Sequence, residues 1–309
     1  MESVLVLLST YNGQKYLREQ LDSLYVQEGV NINILARDDG SKDDTIAILY
    51  EYQHKFGKMN IIEGSNIGCA RSFCMLINEA ATKYDVYDYY AFCDQDDVWL
   101  PNKLYVAASS MNKLPKANRL YFSAANYVDA NMRFLGKKNS PNYFDYKTCV
   151  FRNPALGCTM VYDGAFLRLI NTDYGKRIED ENPLQLHDVW AFICANYLGT
   201  QILCDNKSFI NYRQWGGNVT NAKKSFFNKY LSAIKRVRKE SNWRQNQTRI
   251  FLHIFRDQIP EEKRFFLECL CDYDRNIHCL IKYLRIQPWK GESLIDKVLW
   301  TILVLAMKF

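Results

Sequence analysis

Short apolar runs alternate, over the first hundred positions, with segments whose apolar residues recur every three or four, and that alternation predicts an α/β fold. Val4-Leu5-Val6-Leu7-Leu8 has the continuous apolar character of a strand buried on both faces, and Ser9-Thr10-Tyr11-Asn12-Gly13 breaks it. Tyr16, Leu17, Gln20, Leu21 and Leu24 follow at helical spacing. Ile32-Asn33-Ile34-Leu35-Ala36 then reads as a second strand ending in Asp38-Asp39-Gly40-Ser41. A helix over about 44–56, a short strand at 60–62, a helix over about 69–82 and the strand Tyr89–Cys93 continue the pattern. The expected sheet is mostly parallel. Ligands of such sheets sit beyond the carboxyl ends of the strands, where Tyr11, Asp38 and Asp94 fall together.

The strand at Tyr89 runs into Asp94-Gln95-Asp96-Asp97, followed by Val98-Trp99-Leu100-Pro101. Three carboxylates at the end of a buried strand repel one another, and a hard divalent cation with oxygen ligands offsets that best. A single Asp there would read as the cap of a helix opened by Pro101. Three together favour a metal that could hold a phosphate. Neither G-x-x-x-x-G-K-[ST] nor G-x-G-x-x-G occurs, so phosphate would be held through metal rather than a backbone cradle. A P-loop enzyme and a dinucleotide dehydrogenase are thereby disfavoured.

Charge divides the chain. Residues 1–222 carry 22 Lys and Arg against 25 Asp and Glu, residues 223–309 carry 18 against 9, so net −3 is followed by net +9. A catalytic domain over 1–222 and a helical C-terminal region over 223–309 are expected. In Ser225–Lys239 the residues Phe226, Phe227, Tyr230, Leu231, Ile234 and Val237 share a side, with Lys and Arg around them, as in an interfacial helix. The apolar stretch within Leu294–Phe309 is shorter than the roughly 20 residues that span a bilayer. Contact with a membrane surface competes evenly with packing on the catalytic domain or in a homodimer; nucleic acid is not expected. Ten cysteines without paired spacing, and no signal peptide, predict free thiols in a reducing cytoplasm. Cys269, Cys271, His278 and Cys279 lack zinc spacing and read as core residues.

Taken in order, Ser9-Thr10-Tyr11-Asn12-Gly13, Asp38-Asp39-Gly40-Ser41, Asn66-Ile67-Gly68, Phe92 to Trp99, Gly157-Cys158-Thr159-Met160, His187-Asp188-Val189-Trp190 and Tyr212-Arg213-Gln214 resemble the family 2 glycosyltransferases. Within them the chain is most similar to bacterial rhamnosyltransferase-type enzymes of polysaccharide biosynthesis, over about residues 3–220. The resemblance implies a GT-A fold, a nucleotide-sugar donor, Mn²⁺ or Mg²⁺, and inversion at the anomeric carbon. By the same resemblance Thr10, Tyr11 and Asn12 line the base pocket. Asp38, supported by Asp39, accepts the N3 proton of a uracil or thymine, and Asp94 and Gln95 face the donor. Asp96 with Asp97 coordinates the metal, Arg213 offsets diphosphate charge, and Gly157, Cys158, His187 and Trp190 border the acceptor. Asp188 is the general base.

Without the resemblance, Asp188 reads as a helix-start residue before Ala191-Phe192-Ile193, with a low pKa unless apolar neighbours desolvate it. Where similar enzymes carry Arg-Gln-His-Gly, this chain has Arg213-Gln214-Trp215-Gly216, and Trp215 cannot ligate a metal. The expected activity is transfer of a sugar, rhamnose from dTDP-rhamnose first, to a polyprenyl-diphosphate-linked glycan at the inner face of the cell membrane. UDP-hexose or N-acetylhexosamine transfer, nucleotidyl transfer and a noncatalytic glycan-assembly role are the alternatives.

Overall fold

The computed structural model describes residues 1–115, 117–141, 144–150, 153–173, 186–214 and 246–272, with 276, 278, 279 and 281. The basic helix expected at Ser225–Lys239, the segment Leu294–Phe309 and Trp215 lie outside them. Two compact units are defined. The first comprises Met1–Pro141, Pro154–Ala195 and Gly199–Val219; the second comprises Asn142–Asn153, Asn196–Leu198 and Thr220–Phe309. The second unit thus recruits two short pieces from before residue 222, which charge counting assigned to the first.

The alternating pattern folds as expected in the first unit. Strands β1 (Glu2–Thr10), β2 (Val30–Asp38), β3 (Met59–Glu63) and β4 (Tyr89–Cys93) alternate with helices α1 (Leu17–Tyr25), α2 (Thr45–Phe56) and α3 (Cys69–Lys83). They pair in parallel in the order β3-β2-β1-β4. Val4 to Leu8 are fully buried, which is why that run carries no alternation. Leu17, Leu21 and Leu24 of α1 and Phe73, Leu76, Ile77 and Ala80 of α3 supply the apolar faces of their helices. Helix α2 ends at Gly57, whose φ of +64° is the left-handed cap that glycine adopts without steric cost.

Beyond β4 the chain adds β5 (Val98–Trp99), α4 (Lys103–Met111), β6 (Arg119–Val128), β7 (Phe134–Lys138), β8 (Val161–Asp163), α6 (Gly164–Ile170), α7 (His187–Tyr197) and β9 (Gln201–Arg213). The sheet runs β3-β2-β1-β4-β8-β6-β9-β5, with β7 on β6. Strands β1, β2, β3, β4, β6 and β9 point one way; β5, β7 and β8 are antiparallel to their neighbours. This mixed, mostly parallel sheet flanked by helices is the GT-A fold. Asp163 joins two elements, capping α6 by accepting from Phe166 N (2.9 Å) and pairing with buried Arg119 (2.8 Å).

In the second unit α5 (Tyr146–Cys149), α8 (246–255) and α9 (Glu261–Asp272) surround an aromatic cluster. Tyr146 meets Phe266 and Tyr197 edge-on at 5.9 and 5.8 Å. Cys269 and Cys271 are buried, and all ten cysteines are free thiols.

Candidate active site

Adjacency of β2, β1 and β4 brings Asp38, Thr10 and Asp94 to neighbouring strand ends. Asp38 is oriented by its own turn: Oδ1 accepts from Thr10 Oγ1 (3.0 Å) and Ser41 Oγ (2.6 Å), and Oδ2 from Ser41 N (2.8 Å). Asp39 is buried, ion-paired with Arg37, and accepts the amides of Ile67 (3.0 Å) and Gly68 (2.9 Å). It ties the β2 turn to the Asn66-Ile67-Gly68 segment. Gly40 makes that closeness attainable: φ is +77°, and a Cβ would stand 3.1 Å from Asn66 N and Gly64 O.

Gln95 grips the peptide of Tyr11 from both sides, accepting from Tyr11 N (2.8 Å) and donating to Tyr11 O (3.0 Å). Its amide lies over Gly13, where a Cβ would fall 2.3 Å from Oε1. The residue expected to face the donor therefore shapes the loop that does. Asn12, with φ +48°, donates its N–H to Ser41 Oγ (2.8 Å) and accepts from Lys42 N (2.9 Å), lacing the first two turns together. The Tyr11 ring is left exposed.

The acidic loop separates into roles. Asp97 is fully buried and accepts Arg213 N (3.0 Å), which fastens the loop to β9, and Cys158 donates its thiol hydrogen to it. Asp94 and Asp96 are half-exposed. Burial, then repulsion from Asp96 and Asp188, raises the Asp94 carboxyl to about 7, and Asp97 is raised by burial and then by repulsion from Asp96 and Asp94. Ligand atoms of Asp94, Asp97 and Cys158 lie within 4.8 Å of one another, the grouping able to hold a metal among the described residues; Asp96 is not in it. Burial holds the Cys158 thiol well above its usual range, so it offers no thiolate. The set is oxygen-rich and short of compensating charge, which fits a hard divalent cation. Asp97, one of the two expected ligands, is in that grouping with Asp94; Asp96, the other, is half-buried on the same loop.

Five other residues expected at the site are buried: Arg213, His187, Trp190, Cys158 and Gly157. The Arg213 guanidinium is sealed and spent within the protein: Nε donates to Asp96 O (2.8 Å), Nη1 to Ala130 O (2.6 Å) and Nη2 to Glu19 (2.7 Å), and the group stacks over Tyr16. It braces the acidic loop. His187 lies between Phe73 (3.7 Å, stacked) and Phe92 (4.8 Å, edge-on); burial lowers its pKa to about 3, and neither ring nitrogen has a hydrogen-bond partner. It is a neutral packing residue, and Trp190 and Cys158 are likewise buried. Gly157 belongs to the same packing, because a Cβ there would stand 2.8 Å from His187 Nε2 and 3.2 Å from Asp188 Cβ.

Asp188 occupies the first turn of α7, as the helix-start reading requires, but its pKa moves up rather than down. Burial outweighs the amides of Val189 (2.8 Å) and Gly157 and the nearby charge of Lys138. A half-exposed carboxylate of raised basicity, within electrostatic reach of Asp94, can take a proton from a bound hydroxyl. Two cations were missed by sequence reading. Lys103 lies against the Trp99 ring (3.3 Å), and burial lowers its pKa to about 8 against the opposing field of Asp97; Lys138 of β7 acts electrostatically on Asp188. Neither sits in a motif, so no signal pointed to them.

With this geometry in place, residues 5–168 match the family described as Glycosyl transferase family 2, and the chain belongs to that family. Among characterised relatives, the dTDP-rhamnosyl transferase RfbG of Shigella flexneri is 31% identical over 72% of this chain and 76% of its own length. The Escherichia coli UDP-Glc:α-D-GlcNAc-diphosphoundecaprenol β-1,3-glucosyltransferase WfgD is 27% identical over 69% and 83%. The S. aureus TarS 1–349 structure in complex with UDP-GlcNAc shares the fold at a TM-score of 0.54 and 17% identity, over 93% of this chain and 81% of that one. No helix among the described residues is long and apolar enough to cross a membrane.

Proposed function

We propose that this glycosyltransferase moves a hexose or deoxyhexose, with dTDP-rhamnose the leading donor, to a hydroxyl of a growing, diphosphate-lipid-linked cell-surface glycan, with inversion. The observation that carries the reading is the gathering of Asp38, Asp94 and Asp96 at the carboxyl ends of adjacent strands, with raised Asp188, in the first turn of α7, within electrostatic reach of Asp94, in a family 2 chain. Tyr11 stacks on the base and Asp38 accepts the N3–H of thymine or uracil. Asp188 removes the proton of the acceptor hydroxyl as its oxygen bonds to the anomeric carbon. The bond from that carbon to the diphosphate oxygen breaks on the opposite face, and its electron pair leaves with the nucleoside diphosphate. A Mn²⁺ or Mg²⁺ ion held by Asp94 and Asp96 would offset the charge of the departing diphosphate. Gln95, Asp39, Asp97 and Arg213 keep the loops in register.

The RfbG likeness supports rhamnose, and WfgD supports both a UDP-hexose alternative and a lipid diphosphate acceptor. That chemistry suits an enzyme working in the cytoplasm at the inner membrane face, where the basic 223–309 region can meet anionic lipid. A panel of dTDP- and UDP-sugars with and without Mn²⁺, with the product anomer read by NMR, tests the reading. Turnover of dTDP-rhamnose with inverted product is expected; retention, or no sugar transfer from any donor, refutes it.

A further inference from the structure

The hairpin of β6 and β7 is not used by the chemistry above, yet both its ends reach the site. Its tip is pinned at Ala130 O by the same Arg213 that braces Asp96, and its far end carries Lys138, which acts electrostatically on Asp188. The turn is rigid: Asp129 Oδ1 accepts the amides of Asn131 (2.8 Å) and Arg133 (2.9 Å), and Asp129 O accepts Met132 N (3.0 Å). Among the described residues β7 pairs with β6 alone. On this strand Phe134 is 67% and Leu135 41% exposed, two large apolar side chains consecutive in sequence. Arg133, Lys137 and Lys138 flank them; Asp129 is the one acid of the turn and strand, Asp188 lies in the field of Lys138, and Lys137 is held to Asn206 O (2.6 Å).

An apolar pair framed by cations next to a catalytic base fits an amphiphilic anion. The chain's own C-terminal region, at net +9, is repelled by this charge, and a second copy would bring like charge to like. We propose that the β7 strand is the docking surface for the lipid diphosphate of the acceptor, with Phe134 and Leu135 entering the lipid and Arg133 and Lys138 meeting the diphosphate. This rests on the lipid-linked acceptor proposed above. It sets the glycan end of the acceptor toward Asp188 and leaves the membrane on the β7 side.

The test compares kcat/KM for a prenyl-diphosphate-linked glycan in detergent micelles with that for the same glycan as a methyl glycoside. Phe134→Ser/Leu135→Ser removes most of the apolar contact, so the preference for the lipid-linked form should drop about tenfold or more, through KM. Arg133→Gln should lower it several-fold, and the swap Phe134→Leu/Leu135→Phe should restore it. An unchanged preference in a wild type that does favour the lipid form overturns the docking surface alone. A wild type with no preference for the lipid form overturns the acceptor reading and the docking surface with it. Equal loss of binding to phosphatidylglycerol vesicles lacking acceptor would mark the strand as a general membrane contact and also overturn the inference.

Discussion

Replacing Asp188 by Asn separates a base from a helix-start residue. Asn keeps the side-chain oxygen that accepts Val189 N at 2.8 Å and can also accept Gly157 N, so the start of α7 and its packing on Gly157 stay in place. What is lost is basicity. A general base contributes about 10²- to 10⁴-fold, which is roughly 3–5 kcal/mol of transition-state stabilisation. The loss should fall on kcat for transfer with donor affinity intact, because the carboxylate meets the acceptor hydroxyl and not the nucleotide. Stability should not fall, since burial and Asp94 both disfavour the Asp188 charge and Asn carries none. The wild-type rate should drop as pH falls through the raised Asp188 pKa, at higher pH than for an ordinary carboxylate. Steady-state kinetics with donor titration, a melting curve and a pH profile measure all of this. Near-wild-type turnover by Asp188→Asn would remove the residue from the mechanism.

Asp96→Ala should abolish transfer and Mn²⁺-dependent binding of nucleoside diphosphate by calorimetry, whereas unchanged Mn²⁺ dependence would refute its role as a ligand. In the metal-free protein, the raised Asp94 pKa gives stability that is present below about pH 4 and lost as pH rises through about 7. Mn²⁺ displaces that proton, so the cation should raise the melting temperature more at pH 8 than at pH 6; the reverse order would contradict the assignment. Arg213→Met leaves the carbonyls of Asp96 and Ala130 without donors and should cost about 3–5 kcal/mol in urea unfolding. Arg213→Lys should not rescue stability, because one ammonium cannot span three directions; full stability in either variant would refute the bracing role.

The buried runs of β1 and β4 and the helical spacing in α1 and α3 were legible because burial on both faces, or on one stripe, dictates residue type directly. The order of the motifs, with a carboxylate at each strand end, indicated the site. Antiparallel β5, β7 and β8 were not legible: they are short or partnered from far along the chain, and such pairings leave no local period. That 142–153 and 196–198 join the second unit was not legible either, since composition does not record the contacts that define it.

Residue identity along the chain therefore determined where carboxylates stand that could do chemistry, namely Asp38, Asp94, Asp96 and Asp188. Only tertiary structure decided which polar residues are open to solvent. Arg213, Asp97, His187 and Gln95 carry the same functional groups as site residues, but three are sealed in the interior and the fourth grips a neighbouring peptide. Whether a charge meets solvent or protein depends on what packs around it. That packing also raises the pKa of Asp188 where its helix-start position alone would lower it. Desolvation and neighbouring charge are properties of the surroundings in space, and a linear sequence does not contain them.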